Sequence, residues 1–283
     1  MPLRNVDALM CLSNVVLVFP ACWMIFWSAN PPRSSMSSPY EVPALRRIHD
    51  ILDVLAHAQG PMRAAAIAQA TGLSRSTLYL MLDSLERRRW IEKRADGYIV
   101  GLTLFELGSA YVRHDRLQEV FRQEASVFVA THNEVVQLAV LDGAEVVYLA
   151  REDPARPVRL VSDLGSRLPA HCSALGKALL ASLTDEEVNV ILPRQLPAVT
   201  ANTITRKQDL LAALAAIRRS GLAHEREEVT AGIACFAAFV GVTPLGKRVA
   251  VSASLPLERL DARREKRLAI AVVEMAQRIG KAL

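Results

Sequence analysis

Cysteine is scarce in this chain: four in 283 residues, Cys11, Cys22, Cys172 and Cys235. No two lie within four residues of one another, which excludes a Cys-x-x-Cys metal or redox motif and a disulfide scaffold. The expectation is free thiols in a reducing, cytoplasmic compartment. Six histidines are scattered with no His-x-x-x-His pair, so no metal site is expected. Gly-x-Ser-x-Gly, the P-loop and Gly-x-Gly-x-x-Gly are all missing, which removes the usual hydrolase elbow and phosphate cradles, and no cofactor is implied. His171-Cys172-Ser173 with Lys177, and Cys235 with His224, supply nucleophiles and bases by composition. Neighbouring residues on a helix point in different directions, however, and the reading is that the chain is not an enzyme. Aromatics are only 5%, yet apolar residues reach 51%, carried by Ala, Leu and Val, which is ample for sizeable cores. Lys plus Arg number 34 against 29 Asp plus Glu, a net +5 that permits a nucleic-acid partner without requiring one.

Charge is also missing from Ala8 to Pro32, and Leu9 to Trp27 approaches the ~20 apolar residues that cross a bilayer. Residues 1–41 are read as a hydrophobic leader outside the fold, with Met36 as the expected start of the protein proper. A membrane anchor and a cytosolic apolar tail are the competing readings, and a membrane partner is not expected.

The first folded unit is expected over 42–102. Leu45, Ile48, Ile51, Leu52 and Leu55 recur at helical spacing behind Pro43, and Gly60-Pro61 ends that helix. A short Ala-rich helix, Ala64 to Ala70, breaks at Thr71-Gly72. Ser74 then caps a third helix in which Leu78, Leu82 and Leu85 form the buried stripe and Arg75, Ser76, Thr77 and Tyr79 face outward. Two helices joined by a Gly-containing turn read as a helix-turn-helix, whose second helix enters the major groove N-terminal end first. Ala95-Asp96-Gly97 between alternating segments reads as a hairpin, here a wing carrying Lys93 and Arg94. Between Thr71 and Arg94, six basic residues (Arg75, Arg87, Arg88, Arg89, Lys93, Arg94) stand against three acidic ones (Asp83, Glu86, Glu92), a local +3. The candidate contacts to double-stranded DNA are Ser74, Arg75, Ser76, Thr77, Tyr79, Arg87, Lys93 and Arg94, which offer hydroxyls and cations to phosphates and base edges. A ligand-binding or scaffold protein that uses the winged helix for protein contacts is the competing class.

A linker helix is expected over 103–114 and a second domain over 115–283. Asp142-Gly143 between Val135–Val140 and Glu145–Ala150 marks a hairpin, Val158–Val161 reads as a third strand, and His171–Ser182 as a helix. Thr184-Asp185-Glu186-Glu187 is a capping box. An amphipathic helix over Arg206–Arg219 precedes strands near Leu222–Arg226, Ala234–Val242 and Arg248–Ser254, and a long helix closes the chain from Glu258 to Ala282. Antiparallel hairpins bordered by helices make an α+β class. Gly165 and Ser166 offer main-chain donors in a loop, while Ser252 and Ser254 alternate on one strand and so share a face.

These segments resemble the IclR family of bacterial transcription regulators. Gly72-Leu73-Ser74-Arg75-Ser76-Thr77 looks like the family's approach to its recognition helix. The run from Gly165 through Gly176-Lys177-Ala178 looks like its most recognisable effector-domain stretch. Glu225, Gly232-Ile233-Ala234-Cys235 and Ala250-Val251-Ser252-Ala253-Ser254 match its later pattern, with Ala234 standing where a basic residue is usual. The resemblance implies a winged helix-turn-helix followed by a GAF/PAS-like effector-binding domain, and a dimer or a dimer of dimers on operator DNA. It further implies a small carboxylate or aromatic acid held at Gly165, Ser166, Glu225, Cys235, Ser252 and Ser254.

Overall fold

The structure is a computed structural model and describes residues 42–113 and 116–283. The leader and the expected start at Met36 lie outside the described residues. Three helices come first: α1 (Pro43–Ala56), α2 (Ala64–Thr71) and α3 (Arg75–Arg87), followed by β1 (Ile91–Arg94) and β2 (Gly97–Val100). Pro43 begins α1, where its missing N–H costs nothing. The Ser74 hydroxyl caps α3 by accepting the Thr77 N–H at 3.3 Å. Each element gives one face to a single core: Ile51 and Leu55 from α1, Ile67 from α2, Leu78, Leu82 and Leu85 from α3, Ile91 and Tyr98 from the hairpin. β1 and β2 pair antiparallel from Ile91↔Val100 to Arg94↔Gly97. Met62 adds a third rung by bonding Tyr98 in both directions, at 2.9 and 2.8 Å. A Cβ on Gly97 would sit 2.6 Å from the Met62 carbonyl carbon, so only glycine lets that rung form.

Two helices follow, α4 (Leu102–Arg113) and α5 (Arg116–His132), and then a six-stranded antiparallel sheet. Its strands are β3 (Val135–Asp142), β4 (Glu145–Glu152), β5 (Arg167–Pro169), β6 (Ala223–Arg226), β7 (Ile233–Val242) and β8 (Arg248–Pro256), in the order β5-β4-β3-β8-β7-β6. Helices α6 (Ala174–Ala181), α7 (Asp185–Ile191) and α8 (Lys207–Ser220) lie between β5 and β6 in sequence, and α9 (Ala262–Gly280) ends the fold. Side chains alternate between sheet faces with period two. One set, including Val136, Leu138, Phe236, Val251 and Leu255, packs on Phe121 and Phe128 of α5 and on Leu268, Val272 and Met275 of α9. The other set, including Ala139, Tyr148, Ala237 and Ala250, packs on Leu175 and Leu179 of α6 and on Leu210 and Leu214 of α8. This is the expected α+β class with a winged helix-turn-helix ahead of it.

Three local expectations change. Val158–Val161 forms no strand; the third strand is Arg167–Pro169, which occupies the β4 edge in the register Val147↔Arg167 to Glu145↔Pro169. Pro157 contributes no donor at the start of the rejected strand. The helix expected from His171 begins at Ala174, because the Ser173 hydroxyl accepts the Gly176 N–H at 3.0 Å and sets the start there. The closing helix begins at Ala262, after a 3-10 turn over Leu257–Arg259, with Asp261 capping it through the Arg264 N–H at 2.7 Å.

Candidate functional site

The exposed end of α3 forms the first site. Its N-terminal hydroxyls are linked: Ser74 Oγ donates to Thr77 Oγ1 at 2.9 Å and lies 3.1 Å from Ser76 Oγ. Arg75, Ser76 and Tyr79 are exposed and Thr77 is half-buried. Arg87 at the far end of α3 is exposed but engaged, its Nε and Nη2 donating to the two Asp83 oxygens at 3.0 and 3.2 Å. That fork leaves further N–H groups of the guanidinium for other acceptors. On the wing, Lys93 is exposed and Arg94 donates to Glu92 at 3.3 Å. The eight residues therefore divide into a hydroxyl-rich helix start, a cation at the helix end and two cations on the wing. Leu80 was absent from the expected set, although it stands 74% exposed on the same helix. Only its place in the helical period distinguishes it from the core leucines on either side.

The second site is a cavity of about 30 Å³ between the sheet, the start of α6 and the segment 160–162. That is room for about two water molecules. Glu225, Cys235, Ser252 and Ser254 all line it. Strand register explains their convergence. Glu225 sits opposite Cys235, and Cys235 opposite Ser254, in one row across β6, β7 and β8. Gln137 sits opposite Ser252 in the next row, on β3 and β8. Cys235 Sγ and Ser254 Oγ are 3.1 Å apart, and the Glu225 carboxylate accepts the Glu228 N–H at 2.9 Å.

Gly165 and Ser166 are not among the lining residues. Their amides are already used, Gly165 N–H donating to Tyr148 O of β4 and Ser166 N–H to Asp163 O within the loop, each at 2.9 Å. In their place Leu160, Val161 and Ser162 of the same segment reach the cavity. Gln137, Tyr148, Ser162, Ser173 and Thr230 line it without having been expected to. Gln137 Nε2 donates to Ser162 O at 3.2 Å, and Ser162 Oγ donates back to Gln137 Oε1 at 3.1 Å, tying that segment to the sheet. Gln137 had a sequence signal, being the lone polar residue in the apolar run Val135–Val140.

Burial sets the charge state of this site. It raises the Glu225 carboxyl above the ordinary carboxylate range, and the hydrogen bonds from Cys235 and the Glu228 amide only partly oppose it. Burial also pushes up the Cys235 thiol, reinforced by the neighbouring Glu225 charge, and the Cys172 thiol. His171 and His224 are lowered, again chiefly by burial. The thiols thus stay protonated, which makes them poor nucleophiles. Beneath the cavity wall, buried Lys177 pairs with Glu228, whose second oxygen has no hydrogen-bond partner among the described residues. Among the described residues no group of three His, Cys, Asp or Glu side chains could hold a metal ion, and no helix is long and apolar enough to cross a membrane.

Known proteins combine a helix-turn-helix of this kind with a C-terminal domain of this fold. Residues 44–95 match the family model described as the IclR helix-turn-helix domain, and residues 109–281 match that of the bacterial transcriptional regulator IclR C-terminal region. The chain belongs to the IclR family. An HTH-type transcriptional regulator of Mycobacterium tuberculosis, Rv1719, is 34% identical over 84% of this chain and 91% of its own length. The transcriptional repressor IclR of Escherichia coli is 26% identical over 88% of this chain and 93% of its own. Among solved structures, an IclR homolog from Microbacterium hydrocarbonoxydans complexed with 4-hydroxybenzoate is 26% identical, covering 84% of this chain and 98% of that one, with a TM-score of 0.73. As an IclR-family transcriptional regulator, the protein has a helix-turn-helix DNA-binding domain and a C-terminal effector domain. Its relatives are named as regulators, not as enzymes.

Proposed function

We propose that the protein is a ligand-responsive transcription factor that binds double-stranded operator DNA as a dimer or a dimer of dimers. In this reading Ser74, Arg75, Ser76, Thr77 and Tyr79 meet the major groove, and Arg87, Lys93 and Arg94 meet flanking phosphates. The boundaries assigned to it are 42–102 for the DNA-binding domain, 103–114 for the linker and 115–283 for the effector domain. Leu102, Phe105, Leu107 and Tyr111 of α4 are exposed, and this apolar surface supports self-association.

The effector is a small carboxylic or aromatic acid bound at Glu225, Cys235, Ser252 and Ser254, with Gly165 and Ser166 offering donors once their loop opens. The observation that carries this reading is the row Glu225–Cys235–Ser254, three polar groups brought together on the wall of one cavity. No Lys or Arg is among the residues lining the cavity, and Lys177, the cation that acts on Glu225 from behind the lining, is already paired with Glu228. A protonated Glu225 donates to a ligand oxygen, whereas two carboxylates would repel. The relative crystallised with 4-hydroxybenzoate supports an acid of this class. Ligand changes DNA affinity to the extent that it distinguishes two arrangements of the protein.

Gel-shift titration of Arg75→Ala and Thr77→Ala against duplex DNA tests the first half of the reading. Operator affinity is expected to fall by about tenfold or more for Arg75→Ala, the worth of one good base or phosphate contact, with melting temperature unchanged. Wild-type affinity in both variants would remove the helix start from the interface. Thermal-shift screening against small carboxylates and aromatic acids tests the second half, because a ligand held only by the native state raises its stability.

A further inference from the structure

Helix α3 carries four leucines, Leu78, Leu80, Leu82 and Leu85, and they are not equivalent. Leu78, Leu82 and Leu85 are each about 1% exposed in the core, whereas Leu80 is 74% exposed. Two residues on from Leu78, Leu80 stands roughly 200° around the helix, on the side opposite the core. Ser76 lies one turn before it on the same face, and the Asp83–Arg87 ion pair lies one to two turns after it. Tyr79 beside it is 56% exposed. The surface around Leu80 is thus a hydroxyl on one side and a guanidinium on the other, with Arg75 at the helix start. Asp83 and Arg87 cancel in charge, which leaves Arg75 and Arg88, the latter bonded to the Ser84 hydroxyl at 3.1 Å one turn after Leu80, as the net positive charge there.

That basic surround suits a polyanion, and the face is the one that the DNA reading above turns toward the major groove. A leucine side chain can neither donate nor accept a hydrogen bond. Among the base edges presented in the major groove, the thymine C5-methyl group is the apolar one. We propose that Leu80 is a base-reading residue that packs on a thymine methyl in each half-site, with Ser76 one turn away bonding a neighbouring base or phosphate. This assignment rests on the DNA-binding reading and adds a sequence preference to it: a thymine at a fixed position.

The test uses the full chain and duplexes selected from random DNA by the wild-type protein. Each thymine of the selected half-site is replaced singly by deoxyuracil, which removes the methyl group and leaves pairing and hydrogen bonding alone. For the wild type, one position is expected to lose roughly fourfold in affinity, the worth of one buried methyl. Leu80→Ala is expected to bind the thymine and deoxyuracil duplexes equally, at about the wild-type affinity for the deoxyuracil site. A selected site at which no thymine responds would overturn the proposal. So would a deoxyuracil effect of the same size in Leu80→Ala. Failure of the wild type to retain any duplex would overturn the DNA reading itself, and the two failures are therefore distinguishable.

Discussion

The two faces of the six-stranded sheet are made by the same strands, yet only one of them carries a polar patch. Toward α5 and α9, β7 and β8 present Ala234, Phe236, Ala238, Val249, Val251, Ala253 and Leu255, all buried and all apolar. Toward α6 the residues between them are mixed: Ala237, Phe239 and Ala250 are apolar, while Cys235, Ser252 and Ser254 are joined by Gln137 of β3 and Glu225 of β6 around the cavity. Ser252 and Ser254 are each 2% exposed, as buried as their apolar neighbours. Alternation along an extended strand therefore lets one stretch of sequence pack on one side and line a polar cavity on the other. A one-residue slip of β8 would turn its serines to the other face, so the register that builds the apolar layer also positions the polar groups of the cavity.

Substitutions on the two faces should separate these roles. The largest effect is expected from Phe236→Ala, which opens a cavity in the apolar layer and should cost about 3–5 kcal/mol in urea unfolding. A loss below about 1 kcal/mol would mean that this layer is not where the stability resides. Next comes Glu225→Gln. Burial raises the folded-state carboxyl, so the wild type has its full stability below the ordinary carboxylate value and loses stability as pH rises through the raised one. Glu225→Gln lacks that ionisation. Its melting temperature is expected to exceed the wild type's at neutral and alkaline pH and to converge with it in acid; parallel melting curves at every pH would show that Glu225 carries no raised carboxyl. The smallest stability effect is expected for Ser252→Ala combined with Ser254→Ala, about 1 kcal/mol from the lost Cys235–Ser254 hydrogen bond. That variant should nevertheless lose the effector-induced shift in DNA binding, and a wild-type shift would take both hydroxyls out of the ligand's reach.

The two domains differed in how far they could be read from sequence. The winged helix declares itself locally: Pro43 begins a helix, Ser74 caps one, Asp96-Gly97 turns the wing, and Leu78, Leu82 and Leu85 mark the inward face. The cavity is assembled by partners far apart in the chain. Ser252 and Ser254 could be placed on one face from period two alone, but the adjacency of Glu225, Cys235 and Ser254 follows from pairing among three strands, which no local pattern encodes. Tyr148 and Ser162 were missed for the same reason. Val158–Val161 has the composition of a strand, yet tertiary context overrides it: β5 occupies the β4 edge, and Leu160, Val161 and Ser162 cover the cavity instead. Leu80 was passed over because a leucine in a helix is ordinarily assigned to the core.

Gly176 has a consequence for how fast a ligand can arrive. A Cβ there would lie 2.1 Å from the Ala170 carbonyl oxygen, so α6 is seated against the preceding turn at a distance that only glycine allows. The wall formed by Ser173, Ala174 and Leu175 cannot retreat without lifting that contact. The opposite wall, the non-helical stretch around Ser162, is tied by its two hydrogen bonds with Gln137 and by one from Arg151 Nη1 to Ser162 O at 2.9 Å. A molecule larger than the cavity is therefore expected to part that stretch from the sheet, and an association rate below the diffusional limit would be the sign of that opening.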